Sequence, residues 1–106
     1  MPPVAVRWTA RALRDVRGIR DYIGRSSPYG VRVAARLLAR TDILVEHPAA
    51  GRAVPEYDRP DVLELVEAPW RILYRYAEGG GTAYVLAVVH GRQPLPDRPQ
   101  PAPGTA

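Results

Sequence analysis

The spacing of apolar residues predicts a short N-terminal strand followed by a helix. Val4 to Trp8 alternates in polarity and is rich in β-branched residues, which is typical of a strand. From Ala10 to Gly24 apolar residues instead recur at intervals of three and four, which is the helical period. Thr9 provides a suitable N-cap. The apolar face of this amphipathic helix consists of Ala12, Val16, Ile19 and Ile23.

A second helix is predicted to follow directly. Ser27 is a good N-cap and Pro28 suits the first helical position, while His47-Pro48 ends the helix after about Glu46. Its wide apolar arc favours packing against both the first helix and a sheet. The arc comprises Val31, Ala34, Leu37, Leu38, Thr41, Leu44 and Val45.

Three strands complete the predicted domain. They are Val62 to Ala68, Trp70 to Ala77 and Thr82 to His90, after a loop from Pro48 to Asp61. The order predicts an α+β fold, in which an N-terminal strand and an antiparallel helical hairpin pack on a small antiparallel sheet of about four strands. Residues 1–93 form the predicted single domain. The five prolines among residues 94–106 predict a disordered tail.

Composition excludes several classes of chemistry. The 106 residues contain no Cys, which excludes disulfides, thiolate catalysis and thiolate metal ligands. Two His cannot form a metal cage by themselves, so we expect neither a metal nor a cofactor. No apolar run reaches membrane-spanning length and the first residues do not resemble a signal peptide. We therefore expect a cytoplasmic protein without a membrane partner.

Charge is distributed unevenly along the chain. Residues 7–40 contain nine Arg and two acids, a local charge of +7, so the rest carries −3 of the total +4. All 15 basic residues are Arg, whose guanidinium binds carboxylates and phosphates in a bidentate manner. The basic half favours an acidic partner, either nucleic acid or an acidic protein segment.

Four motifs, in this order, resemble the RelE/ParE toxin superfamily and are closer to ParE. They cover roughly residues 4–93. No single motif is specific to the superfamily, but the four motifs in this order are. The motifs are Val6-Arg7-Trp8-Thr9 with the helical positions that follow, Ser27-Pro28, His47-Pro48 through Gly51-Arg52 to Val54-Pro55-Glu56, and Trp70 to Arg75 with Val88 to Arg92.

The resemblance implies a toxin of a type II toxin–antitoxin module of the plasmid-stabilisation type. It implies a cognate antitoxin whose flexible segment folds across the toxin. The assembly it implies is either a toxin homodimer or a toxin–antitoxin hetero-oligomer. RelE-like members cut mRNA on the ribosome, whereas ParE-like members poison DNA gyrase by contact. The fold alone does not separate these activities.

Three residues are candidates for catalysis if the chain is a nuclease. Metal-independent RNA cleavage needs a base, a cation at the phosphate and an acid, which Glu56, Arg71 and His90 can supply. Each has a structural alternative. Arg71 and Arg75 can pair with Glu64 or Glu67 on the neighbouring strand, His90 can be a structural hydrogen-bonding residue, and Glu56 can simply be solvated.

Two departures from the family favour the ParE-like function. Many members carry a second basic residue where this chain has Gln93, and the loop before the second predicted strand lacks the lysines of the ribosome-dependent nucleases. A gyrase inhibitor acting by protein contact, and not an enzyme, is therefore favoured. An mRNA endonuclease is the alternative, and an inactive toxin that still binds its antitoxin is the third hypothesis.

Exposed arginines are the candidates for binding. Arg52, Arg75 and Arg92 are predicted to contact the target or a nucleic acid. The antitoxin is predicted to bind the arginines of the helical half, of which the last three form a ridge at i, i+4 and i+8; a solvated face is the alternative. These candidates are Arg11, Arg14, Arg32, Arg36 and Arg40.

Overall fold

A strand, a helical hairpin and four further strands make up the computed structural model, which describes residues 2–95. The predicted α+β fold is confirmed. From residue 96 onward the predicted tail lies outside the described residues. The elements are β1 (Ala5–Trp8), α1 (Ala10–Gly24), α2 (Pro28–Arg40), a 3₁₀ helix (Thr41–Val45), β2 (Arg52–Ala53), β3 (Val62–Glu67), β4 (Trp70–Arg75) and β5 (Thr82–His90).

The sheet differs from the prediction in two details. It has five strands in the order β1-β5-β4-β3-β2, and β1 pairs with β5 in parallel while the other pairs are antiparallel. The additional strand, β2, has only two residues, too few for any periodicity to be recognised. The direction of β1 relative to β5 depends on the whole chain that connects them, which contains both helices and three strands, and no local turn signal specifies it.

The main core lies between the helices and the sheet. Thr9 caps α1 as predicted, because its side chain accepts a hydrogen bond from the Ala12 amide at 3.1 Å. The predicted apolar face of α1 is also confirmed, with Ala12, Val16 and Ile19 buried against the sheet and Ile23 packed beside them.

The second helix is shorter and buries less than predicted. The α-helix ends at Arg40, and the chain continues as a 3₁₀ helix; the Thr41 backbone amide donates to the Leu38 carbonyl oxygen, and the Thr41 hydroxyl donates to the same oxygen at 2.9 Å. Val31 and Leu38, predicted inside, are 53% and 40% exposed. A narrower stripe of Gly30, Val33 and Leu37 is buried, because α2 packs mainly against α1.

A smaller cluster covers the sheet face that lies away from the helices. Val54, in the segment between β2 and β3, is buried there, and Tyr57 and Leu95 pack against the same cluster. The strands contribute Val62, Leu73, Ala87 and Val89. This anchoring places residue 56 over β4. Within residues 2–95, no helix is long and apolar enough to cross a membrane.

Candidate functional site

Arg71 projects from the middle of the sheet, on the face away from the helices. Side chains alternate along β4, so Ile72 packs in the main core while Arg71 and Leu73 face the opposite side. Arg71 stands opposite Val66 of β3 and Val89 of β5 in the strand register. Its side chain is 10% exposed, so its charge needs partners close by.

Two carboxylates share the Arg71 guanidinium. Nη1 and Nη2 donate to the two oxygens of Glu56 at 2.7 and 2.9 Å, and Nε donates to Glu64 at 2.6 Å. Arg52 of β2 donates to the other oxygen of Glu64 at 2.8 Å. We call these four residues the sheet network. Their formal charges cancel.

The network is buried at its centre and exposed at its ends. The Glu64 side chain is completely buried, whereas those of Glu56 and Arg52 are 45% and 67% exposed. Arg71 thus pairs with Glu64, as the structural alternative predicted, while Glu67 pairs with Arg40. Each oxygen of the buried Glu64 carboxylate accepts a hydrogen bond from an arginine, which offsets the cost of removing it from water.

Glu56 is poorly suited to accept a proton. Its hydrogen bonds from Arg71 lower the pKa of the Glu56 carboxyl, and the same bonds, with those to Glu64, raise the pKa of Arg71. General-base efficiency is greatest when the pKa lies near the working pH. A carboxylate held by a bidentate guanidinium is therefore a weak base at neutral pH.

His90 lies on the other face of the sheet. It stands opposite Trp70 in the register, and the two rings meet edge to face with centroids 5.5 Å apart. With Ile19 and Tyr22 of α1 it lines a shallow depression on the helical side. The structure brings Glu56 and Arg71 together but does not place His90 with them.

Comparison with known proteins assigns the chain to a family. The model of the ParE toxin of the parDE type II toxin–antitoxin system matches residues 6–95. The chain belongs to the ParE toxin family. It is 40% identical over 86 residues to a Caulobacter vibrioides protein named toxin RelE2, an alignment that spans 80% of this chain and 92% of that protein.

Solved structures share the fold of this ParE-family chain. A chain of the chromosomal ParDE system from P. aeruginosa superimposes with a TM-score of 0.68 at 18% identity, covering 85% of this chain and 98% of that one. A chain of the RelBE2 complex from Mycobacterium tuberculosis gives 0.62 at 24% identity, covering 85% and 93%. At these identities the likeness shows the fold.

The three predicted target-binding arginines differ in their surroundings. Arg52 belongs to the sheet network. Arg75 donates to Asp61 at 3.1 Å, and hydrogen bonds from Arg59 and from Arg75 lower the pKa of Asp61 to about 2. Arg92 is exposed and its side chain has no ion pair among residues 2–95.

The arginines of the helical half divide into paired and unpaired groups. Arg11 pairs with Asp15 at 3.2 Å, and Arg40 donates to the Val66 carbonyl oxygen at 3.4 Å. Within the described part of the family domain, Arg14, Arg32 and Arg36 are exposed and have no ion-pair partner. The unpaired arginines of α2 lie on the same helix as the exposed side chains of Val31 and Leu38.

Two features of the site were not predicted from the sequence. One is the central position of Glu64; its signal was a carboxylate in an otherwise apolar stretch of β3. The other is a groove of about 410 Å³ beside the sheet network, lined by Arg52, Glu56, Val66, Trp70 and Arg71 among others. No group of His and acidic residues that could hold a metal ion occurs in the described chain.

Proposed function

We propose that this protein is a growth-inhibiting toxin that acts on DNA gyrase by protein contact and is neutralised by a cognate antitoxin. The match to the ParE family model supports the proposal. The observation that carries it is the placement of the nuclease candidates. Glu56 and Arg71 neutralise one another, and His90 lies on the opposite face of the sheet.

The electrostatics of the sheet network favour a binding inhibitor over a nuclease. Stabilising a phosphorane-like charge needs donors that are free to face the substrate. The Arg71 donors are already directed at two carboxylates, and the network has no net charge. The name of the 40% identical relative, toxin RelE2, makes RNA cleavage the second candidate.

The outer face of α2 is the surface that we propose for the antitoxin. Val31 and Leu38 offer exposed apolar contacts seven residues apart, and Arg32 and Arg36 offer unpaired charges between them. An amphipathic helix with apolar anchors and flanking acids complements such a surface. Arg11 and Arg40 are already engaged within the chain and contribute less.

The order in which DNA and protein synthesis stop distinguishes the two candidate functions. We expect that inducing the chain without antitoxin lowers labelled thymidine incorporation before labelled methionine incorporation. An earlier fall in methionine incorporation, with cleavage of mRNA on purified ribosomes, would establish the nuclease instead. If neither falls in cells that accumulate the folded protein, the chain is not a growth inhibitor.

Reversing two charges on α2 tests the antitoxin surface. We expect Arg32→Glu with Arg36→Glu to weaken antitoxin binding at least about tenfold at low salt, because two attractive contacts become repulsive. Calorimetry with the cognate antitoxin measures the effect. The control, Arg7→Glu with Arg92→Glu, changes net charge equally on exposed positions outside the helices. Equal weakening by both variants would contradict contact at α2.

A further inference from the structure

A separate cleft opens where the 3₁₀ helix meets the ends of β3 and β4. Its volume is about 750 Å³, larger than the 410 Å³ groove beside the sheet network and within the range of about 300–1,000 Å³ typical of ligand sites. No residue of the sheet network or of the α2 surface lines it. The cleft therefore lies outside both the sheet network and the surface proposed for the antitoxin.

The floor of the cleft is apolar. Tyr76 and Pro48 are buried, Leu63 is half-buried, and Ile43 is 40% exposed at the edge. Ala49 and Ala50, both small, form part of the wall. An alkyl chain that displaces water from such a floor binds with a favourable free energy.

The rim of the cleft carries two carboxylates that are unpaired within residues 2–95. Glu46 and Glu78 are exposed and make no ion pair there. By contrast Asp61, Glu64 and Glu67, on or next to β3, are each held by an arginine. Among residues 2–95 the lining contains no Arg, and His47 and Tyr76 are the only titratable side chains in it besides the two carboxylates. The cleft thus combines an apolar floor with an uncompensated negative rim.

We propose that this cleft docks a basic segment of a partner polypeptide. The alkyl stem of an Arg or Lys side chain would lie on the floor, and its charge would face Glu46 and Glu78. Long cationic side chains usually bury the stem against apolar surface in this way while the charged group stays in polar surroundings. The volume leaves room for a neighbouring apolar side chain. The cleft would bind a positively charged segment, whereas the basic helical half favours a negatively charged one. The same molecule therefore presents two docking surfaces of opposite charge.

A pentapeptide titration into the ¹⁵N-labelled full chain tests the cleft. The probe is N-acetyl-Ala-Leu-Arg-Leu-Ala-amide, and the control peptide has Glu in place of Arg. In ¹H–¹⁵N NMR spectra we expect saturable changes in the chemical shifts of the Ala49, Ala50 and Glu78 amides. The Kd should be about 1 mM or tighter, and added salt should weaken the binding. We expect no such shifts with the acidic peptide.

Matched variants assign the effect to the two rim carboxylates. Glu46→Gln with Glu78→Gln should weaken binding of the basic peptide at least about fivefold. Asp42→Asn with Asp58→Asn removes the same charge from two other exposed acids that do not line the cleft, and should leave binding unchanged. All four positions are on the surface, so both variants are expected to fold.

Three outcomes would overturn the proposal. The first is that the amides lining the cleft show no chemical-shift change at about 5 mM peptide. The second is that both peptides cause equal changes, and the third is that both double variants weaken binding of the basic peptide equally. Cleft shifts that appear on concentrating the chain alone, with a rise in its mass, would assign the cleft to a second copy instead. None of these readouts depends on toxicity, so the proposed function can fail while the cleft proposal stands.

Discussion

Replacing Arg71 with Met should lower the free energy of unfolding by about 3–5 kcal/mol. Glu64 would keep only Arg52, an exposed partner, and would remain a fully buried carboxylate with one oxygen uncompensated. Urea denaturation followed by circular dichroism measures the loss. Glu56→Gln removes the exposed partner of the same guanidinium, and we expect it to change stability by less than about 1 kcal/mol.

A double variant separates the burial of an unpaired charge from the loss of packing. Combining Glu64→Leu with Arg71→Met removes both buried charges, and we expect most of the lost stability to return. Two results would contradict a stabilising role of the Arg71–Glu64 pair. One is that Arg71→Met alone lowers the free energy of unfolding by less than about 1 kcal/mol, and the other is that the double variant is as unstable as the single one.

Adding one methyl group at Gly51 should destabilise the fold by about 3 kcal/mol. A Cβ there would lie 2.6 Å from the Tyr74 hydroxyl and 2.7 Å from the Glu64 carbonyl oxygen, too close for either to remain in place. Tyr74 is fully buried and its hydroxyl links two backbone groups, accepting from the Gly51 amide and donating to the Pro48 carbonyl oxygen, both at 2.8 Å. Moving the ring breaks both bonds.

Gly18 provides the matched control for this substitution. A Cβ at Gly18 meets nothing within 4 Å, and the residue lies in the middle of α1. We expect Gly18→Ala to raise the melting temperature slightly, since Ala is favoured over Gly in a helix by about 0.5–1 kcal/mol. A Gly51→Ala variant that melts within a degree or two of the native protein would show that the segment around Pro48 can shift without loss.

Gly51 and Glu56, the exposed partner of Arg71, both lie in the segment that leads from the 3₁₀ helix to β3. Tyr74 holds its first part, the burial of Val54 holds its middle, and the bonds between Glu56 and Arg71 hold the part above β4. The segment forms one wall of the groove beside the sheet network and one wall of the cleft at Glu46. Its stability therefore bears on both surfaces.

Local periodicity was sufficient to predict most elements of this fold. The bounds of α1 and β5 agree with the prediction, because the helical period and the turn residues that bound a strand depend only on residues that are near in sequence. The structure likewise places Arg71 and Leu73 on one face of β4 and Ile72 on the other, as the alternation of side chains along a strand requires. The ordered motifs were enough to identify the toxin superfamily, which the family match bears out.

Features that depend on contacts between distant segments could not be predicted in this way. The exposure of Val31 and Leu38 follows from how α2 packs on α1, which helical spacing does not specify. The sequence placed Glu56, Arg71 and His90 in one hypothetical site, but strand register puts His90 opposite Trp70 and thus on the other face.

The sequence by itself determined most of the elements, the apolar face of α1 and the family, whereas the tertiary structure decided which face of α2 is buried and which charges meet. Glu56 and Glu64 lie 15 and 7 residues from Arg71, and only the pairing of β3 with β4 and the anchoring of Val54 bring both carboxylates to its guanidinium. The reason is physical. Periodicity reflects the geometry of a single segment, while an ion pair depends on the distance between segments, which the packing of the whole sheet sets.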